Sequence, residues 1–114
     1  RVGVQGQFKI GLNETLIGMT MHDFGIELAR YRIPLNYFNR SVINAELYAP
    51  SDAMEAGFYD TVIKIESMES NISEITQNFK NLNMSAFVGT KIKSRRALLE
   101  LLDECIENDM RMAV

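Results

Sequence analysis

The apolar positions of this chain change period along its length. In the opening "RVGVQGQFKIG", Val2, Val4, Phe8 and Ile10 fall on alternating positions among three glycines, which predicts short strands joined by tight turns. The spacing then becomes helical. In "DFGIELARYR", Phe24, Leu28 and Tyr31 share one helix face, Asp23 is placed to cap it, and Pro34 stops its smooth continuation. A second helix is expected through "LNYFNRSVINAELY", with Leu35, Phe38, Val42 and Ala45 on its buried side. In "YAPSDAMEAGFYDTVI", Pro50 and Ser51 open a short helix and Gly57 closes it. Phe58 to Ile63 then has the aromatic and β-branched makeup of a strand.

Beyond Ile63 the pattern is helical throughout. Ile65, Met68, Ile72, Ile75, Phe79 and Leu82 recur every three or four residues. After the break at 81–83, Ser85 is the expected cap of a last helix, with Val88, Ile92, Leu99, Leu102 and Ile106 as its inner stripe. The chain is therefore α/β, with strand and helix mixed to residue 63 and helices alone from 64 to 114.

Composition narrows the chemistry. The 114 residues suit one modest domain, or part of one, and are short for a complete enzyme with its own substrate pocket. A net charge of −3 gives no general attraction for nucleic acid, so an anionic ligand would have to be held locally. No apolar run approaches the ~20 residues of a membrane-spanning helix. Cys105 is the single cysteine and His22 the single histidine, so neither an internal disulfide nor a zinc site is expected. A reducing compartment, the cytoplasm, is the simpler assumption. Arg1 stands where a start methionine would, with no targeting segment after it, so the chain is expected to be cut or trimmed.

One carboxylate stands out. Glu14 lies in "FKIGLNETLIGMTM", among Phe8, Ile10, Leu12, Leu16 and Ile17. Held in such surroundings, it would have its pKa raised by desolvation, toward the range where one group both takes and gives a proton. Gly11 and Gly18 would let backbone pass close to a substrate. On local grounds a residue of a first helical turn, where negative charge favours the helix dipole, explains Glu14 as well or better.

The segments "GVQGQFKIGLNETLIGMTM", "LAR", "YAPSDAMEAGFYDTVI" and "SAFVGTKIKSRRALL", in that order and spacing, resemble the crotonase superfamily, the enoyl-CoA hydratase/isomerase family. In that family a phenylalanine, a Pro-Glu pair and a following glycine form the segment that carries a catalytic glutamate; Phe8, Glu14 and Gly18 match it here. Ala49, Asp52, Ala53, Gly57 and Phe58 match the later segment that closes the core, and Thr90-Lys91 matches the "TK" of the helix beyond it. Asn13 replaces the usual Pro before the glutamate, and a second Pro, near Met21 or His22, is also replaced.

The resemblance implies the last strands and turns of a ββα spiral core over 1–63, followed by a helical trimerisation region over 64–114. It implies an enzyme of fatty-acid metabolism that acts on acyl-CoA thioesters through an enolate, with Glu14 as general acid/base. No cofactor is implied beyond the coenzyme A of the substrate itself. The backbone N–H donors that stabilise the enolate, and the second glutamate of hydratases, belong to the family's upstream half. A homotrimer or hexamer completed by that half is expected.

Gly18, Phe24, Phe38 and Lys91 are the candidate substrate contacts. Phe24 and Phe38 would line an acyl tunnel, although core packing explains both equally well. Lys91, with Lys93, Arg95 and Arg96, could pair with CoA phosphates across a subunit boundary; a solvated helix face is the more ordinary explanation. His22 and Glu46 are nearer to bystanders than to acids or bases. The alternative to an enzyme is a crotonase-like assembly subunit without catalysis.

Overall fold

The computed structural model describes residues 1–113. Strand β1 (Val2–Val4) is followed by a 3-10 turn at Thr15–Ile17, helices α1 (Asp23–Arg32), α2 (Leu35–Val42) and α3 (Pro50–Glu55), and strand β2 (Thr61–Ile63). A second 3-10 turn, Ile65–Ser67, leads into α4 (Met68–Lys80) and the long α5 (Met84–Met112). The two strands pair in parallel, with Gly3 opposite Val62. The expected hairpin-like opening is thus replaced: β1 finds its partner some sixty residues on, after three helices. A parallel pair needs a crossover of that kind. Ile10 makes one antiparallel bridge to Tyr48, both N–H···O bonds measuring 2.8 Å.

Two joined apolar clusters form the core. Met21, Ala29, Ile33, Phe38 and Val42 make the first, and Tyr48, Ala53 and Ala56 the second, with Tyr37 and Phe58 packed against both. Phe38 is buried here under the Arg30 guanidinium, 4.5 Å from its ring centroid. Beneath α2 a polar chain runs into the core. The fully buried Ser41 hydroxyl lies 3.0 Å from Tyr48 Oη, Tyr48 donates to Glu46 Oε2, and Arg40 grips Glu46 at 2.7 and 2.8 Å.

Several boundaries differ from the pattern read along the chain. Helix α2 ends at Val42 rather than running to Tyr48. The backbone turns at Ala45, buried with φ +52°, so that residues 46–48 can extend toward Ile10. Ala45 is therefore a core residue, but not on a helix face. Phe58 belongs to the turn, and only Thr61–Ile63 is strand. Gly57 has φ +97°, and a Cβ there would lie 2.6 Å from Pro34 Cδ, so both conformation and space require glycine.

The caps of α1 and α5 also come from other residues. Asn83, not Ser85, caps α5, its side chain accepting the Ala86 N–H at 3.0 Å. Asp23 is the first residue of α1 rather than its cap. The free N–H groups of Asp23 and Phe24 donate instead to the two carboxylate oxygens of Asp109, at 2.8 and 3.1 Å, from the far end of α5.

Helix α5 runs antiparallel to α1, and the side it turns inward carries Leu98 and the buried Cys105. The stripe expected to face inward lies beside that one: Val88, Ile92, Leu99 and Ile106 are exposed and Leu102 is half-buried. Helix α4 has no buried residue, and Ile72, Phe79 and the following Leu82 are exposed too. No helix among the described residues is long and apolar enough to cross a membrane.

The buried Ser41–Tyr48 pair yields an asymmetric expectation. Tyr48→Phe leaves the Ser41 hydroxyl without its acceptor and should cost about 1–3 kcal/mol in urea unfolding. Ser41→Ala should cost less, because Tyr48 keeps Glu46; equal losses would show that the hydroxyl pair is not what matters.

Candidate functional site

Glu14 starts the first 3-10 turn. Its carbonyl accepts the N–H groups of Ile17 at 3.2 Å and Met19 at 2.8 Å, and Gly18 closes the turn at φ +81°. Asn13 takes the place of a turn-setting proline, and its carbonyl also accepts the Ile17 N–H at 3.1 Å, so the turn forms without the ring. Thr15 Oγ1 donates to the Ile43 carbonyl at 2.9 Å and ties the turn to the end of α2. The helix-start reading of Glu14 thus describes its backbone. Its side chain does something else.

That side chain borders a cavity of about 390 Å³, bounded along α1 and walled largely by apolar groups, including Leu12, Met21, Phe24, Leu28 and Phe58. Glu14 Oε2 is buried there with no hydrogen-bond partner among the described residues. A buried oxygen without a donor is costly, by about 1–3 kcal/mol or more for a charged group. In a native fold such a group calls for an explanation, and a catalytic role is one of them.

Of the apolar neighbours expected around Glu14, only Leu12 lines this cavity. Phe8, Leu16 and Ile17 are exposed, and Ile10 packs on the second core cluster. A 3-10 turn has three residues per turn, which carries the residues just after Glu14 around to the outside. The walls come instead from residues distant in sequence. Phe24 and Leu28 were visible as one stripe of α1; Met21, Ile33 and Phe58 had no local signal linking them to Glu14.

The candidate contacts separate. Phe24 shares the cavity with Glu14. Phe38 does not line it: its ring is spent on the core, as the packing alternative allowed. Gly18 lies on a different, shallow depression with Met19, Ile26 and Ile43. Lys91 is on α5 in a groove with Tyr31 and Phe79, its Nζ 5.8 Å from the Phe87 ring centroid. Glu46 is held by Arg40, which lowers its carboxyl pKa, and lies outside the cavity. Three further polar residues, Arg1, His22 and Arg32, line it.

No family model and no curated protein matches the chain. Solved structures do. An enoyl-CoA hydratase/isomerase family protein from Pseudomonas syringae is 50% identical, with a TM-score of 0.94 over 97% of this chain and 48% of its own. An enoyl-CoA hydratase from Mycobacterium marinum (25% identical, TM-score 0.86) is covered over 49% of its length and 97% of this chain. For an enoyl-CoA isomerase from Mycobacterium tuberculosis (27%, 0.87) the shares are again 49% and 97%. The chain spans about half the length of the structures it matches.

His22 and Phe24 reach the cavity from the N-terminus of α1, which Asp109 holds. Burial alone would raise the Asp109 carboxyl. The N–H donors of Phe24 and Asp23, with His22 nearby, outweigh that effect and hold its pKa below the ordinary carboxylate value. Because the folded value is the lower one, the stability is fully present above the unfolded pKa, near 4. It is lost as pH falls through the folded value. Asp109→Asn should therefore flatten the acid side of the stability–pH curve below about pH 4 and fray the start of α1 in amide exchange. An unchanged acid limb would assign no stabilising role to the cap.

Proposed function

Because this chain belongs to the crotonase, or enoyl-CoA hydratase/isomerase, family and carries the C-terminal part of its fold, we propose that it supplies the proton-transferring carboxylate of an acyl-CoA site. The observation that carries the reading is Glu14 Oε2, buried and unpartnered on an apolar cavity. An enoyl thioester bound there would bring an acidic C–H to that oxygen. The C–H bond breaks, the proton passes to Glu14, and the electron pair moves into the thioester as an enolate. Backbone N–H donors from the part of the fold that this chain does not span would stabilise the enolate oxygen. Return of the same proton to a different carbon moves the double bond.

One carboxylate suffices for that exchange, whereas adding water calls for a second acid or base. Glu14 is the carboxylate that this part of the fold brings to the cavity; a site with that glutamate alone would favour isomerisation, and a second one supplied by the part of the fold this chain does not span would favour hydration. The chemistry needs no group beyond the thioester itself. The exposed apolar sides of α4 and α5 suit assembly with the rest of the fold and with further copies, as a trimer or hexamer, in the cytoplasm. There Lys91 could meet a CoA phosphate of a neighbouring subunit.

The decisive variant is Glu14→Gln in the full-length protein. Turnover of a 3-enoyl-CoA should fall by about 10²–10⁴-fold, while acyl-CoA binding by calorimetry stays within a few-fold. Undiminished turnover would remove Glu14 from the chemistry. A wild type that binds no acyl-CoA would leave the chain as an assembly subunit without catalysis.

A further inference from the structure

A second residue of the cavity wall carries an unsatisfied polar atom. Arg32 Nε is buried with no hydrogen-bond partner among the described residues, like Glu14 Oε2, and both residues line the same space. Arg32 is the last residue of α1, and its guanidinium is already fixed from one side, Nη2 donating to Asp60 Oδ1 at 2.6 Å. A rigid fork with one arm tied and another N–H unused is pre-organised for one more acceptor.

Charge indicates which acceptor. Arg1 lines the cavity as well, and burial together with the Arg32 charge pulls the Arg1 guanidinium below its ordinary value. Asp60 answers this positive charge from one side, pairing with Arg32 through Oδ1 and with the Arg1 terminal ammonium through Oδ2, and an anion in the cavity would add to that compensation. The space is ample: a cavity of ~150 Å³ admits benzene, and this one is about 390 Å³. Its walls run along α1 from Phe24 to Arg32, a helical rise of ~12 Å.

We propose that Arg32 determines substrate specificity by receiving a second, terminal carboxylate on the acyl group of the thioester. The substrate class is then a dicarboxylic enoyl-CoA rather than one ending in a plain alkyl chain. The inference rests on the acyl-CoA reading of the same cavity. Glu14 serves the thioester end, while Arg32 takes no part in proton transfer.

The test compares kcat/KM of the full-length protein for two enoyl-CoA thioesters of equal chain length, one ending in carboxylate and one in methyl. Wild type should prefer the carboxylate by about tenfold or more, as expected for a charged hydrogen bond. Arg32→Met should bring that ratio to about one, chiefly through a higher KM for the carboxylate substrate. Arg32→Lys keeps a cation beside Asp60 and serves if the methionine variant does not fold; it should lose several-fold of the ratio. If the methyl substrate is turned over with equal or better efficiency and the Arg32 variants leave the ratio alone, this inference falls while the general reading stands. The same holds if both substrates fall together with melting temperature, since Arg32 would then be structural. If neither thioester is bound or turned over, both readings fall.

Discussion

Everything in this molecule is hung on the burial of α1. One face of this ten-residue helix puts Ala29 into the core, and Ile33, just past its end, joins it against Phe38 and Val42. A second receives α5, and a third, with Phe24, Leu28 and Arg32, forms a wall of the cavity. A helix has room for three such neighbours only if each takes about a third of its circumference. The side chains of α1 are allotted in just that way: small and branched residues inward, Glu27 and Arg30 at the α5 edge, aromatic and leucine toward the cavity. The position of Glu14 follows from this arrangement. Leu12 packs against the same core cluster, so the turn that presents the carboxylate is anchored to the helix that walls its pocket.

The helix also shows how far apart in sequence the stabilising groups lie. Its N-terminal N–H groups are satisfied 86 and 85 residues away, by Asp109. Its C-terminal Arg32 is held 28 residues away, by Asp60. Both ends are thereby tied to elements that come after the core is closed.

This explains what could and could not be read along the chain. Helix existence was legible, because α1, α2, α4 and α5 each carry a run at helical spacing and α3 is bracketed by Pro50 and Gly57. Helix ends were less so: Asp23 and Ser85 are good capping residues by type, but Asp109 and Asn83 do the capping. Period alone also cannot choose between neighbouring stripes. On α5, Leu98 and Cys105 turn toward α1, while Val88, Ile92 and Leu99, offset from them around the helix, remain exposed. Glu14 was legible through the joint order of four segments rather than through its own surroundings, since four of its five local apolar neighbours turn away from the cavity. Arg32 gave no signal at all. An arginine near a helix C-terminus is ordinarily a favourable charge there, and only the folded chain shows one of its N–H groups facing inward.

The two orphaned atoms of the cavity are best understood together. An unpartnered carboxylate oxygen suits a group that must change its protonation during a reaction, because a permanent donor would hold it in one state. An unpartnered guanidinium N–H suits the opposite task, since arginine stays charged and can only bind. A single, largely apolar space bordered by both residues would, on the reading proposed above, separate chemistry from recognition, with Glu14 moving the proton and Arg32 distinguishing one acyl end from another.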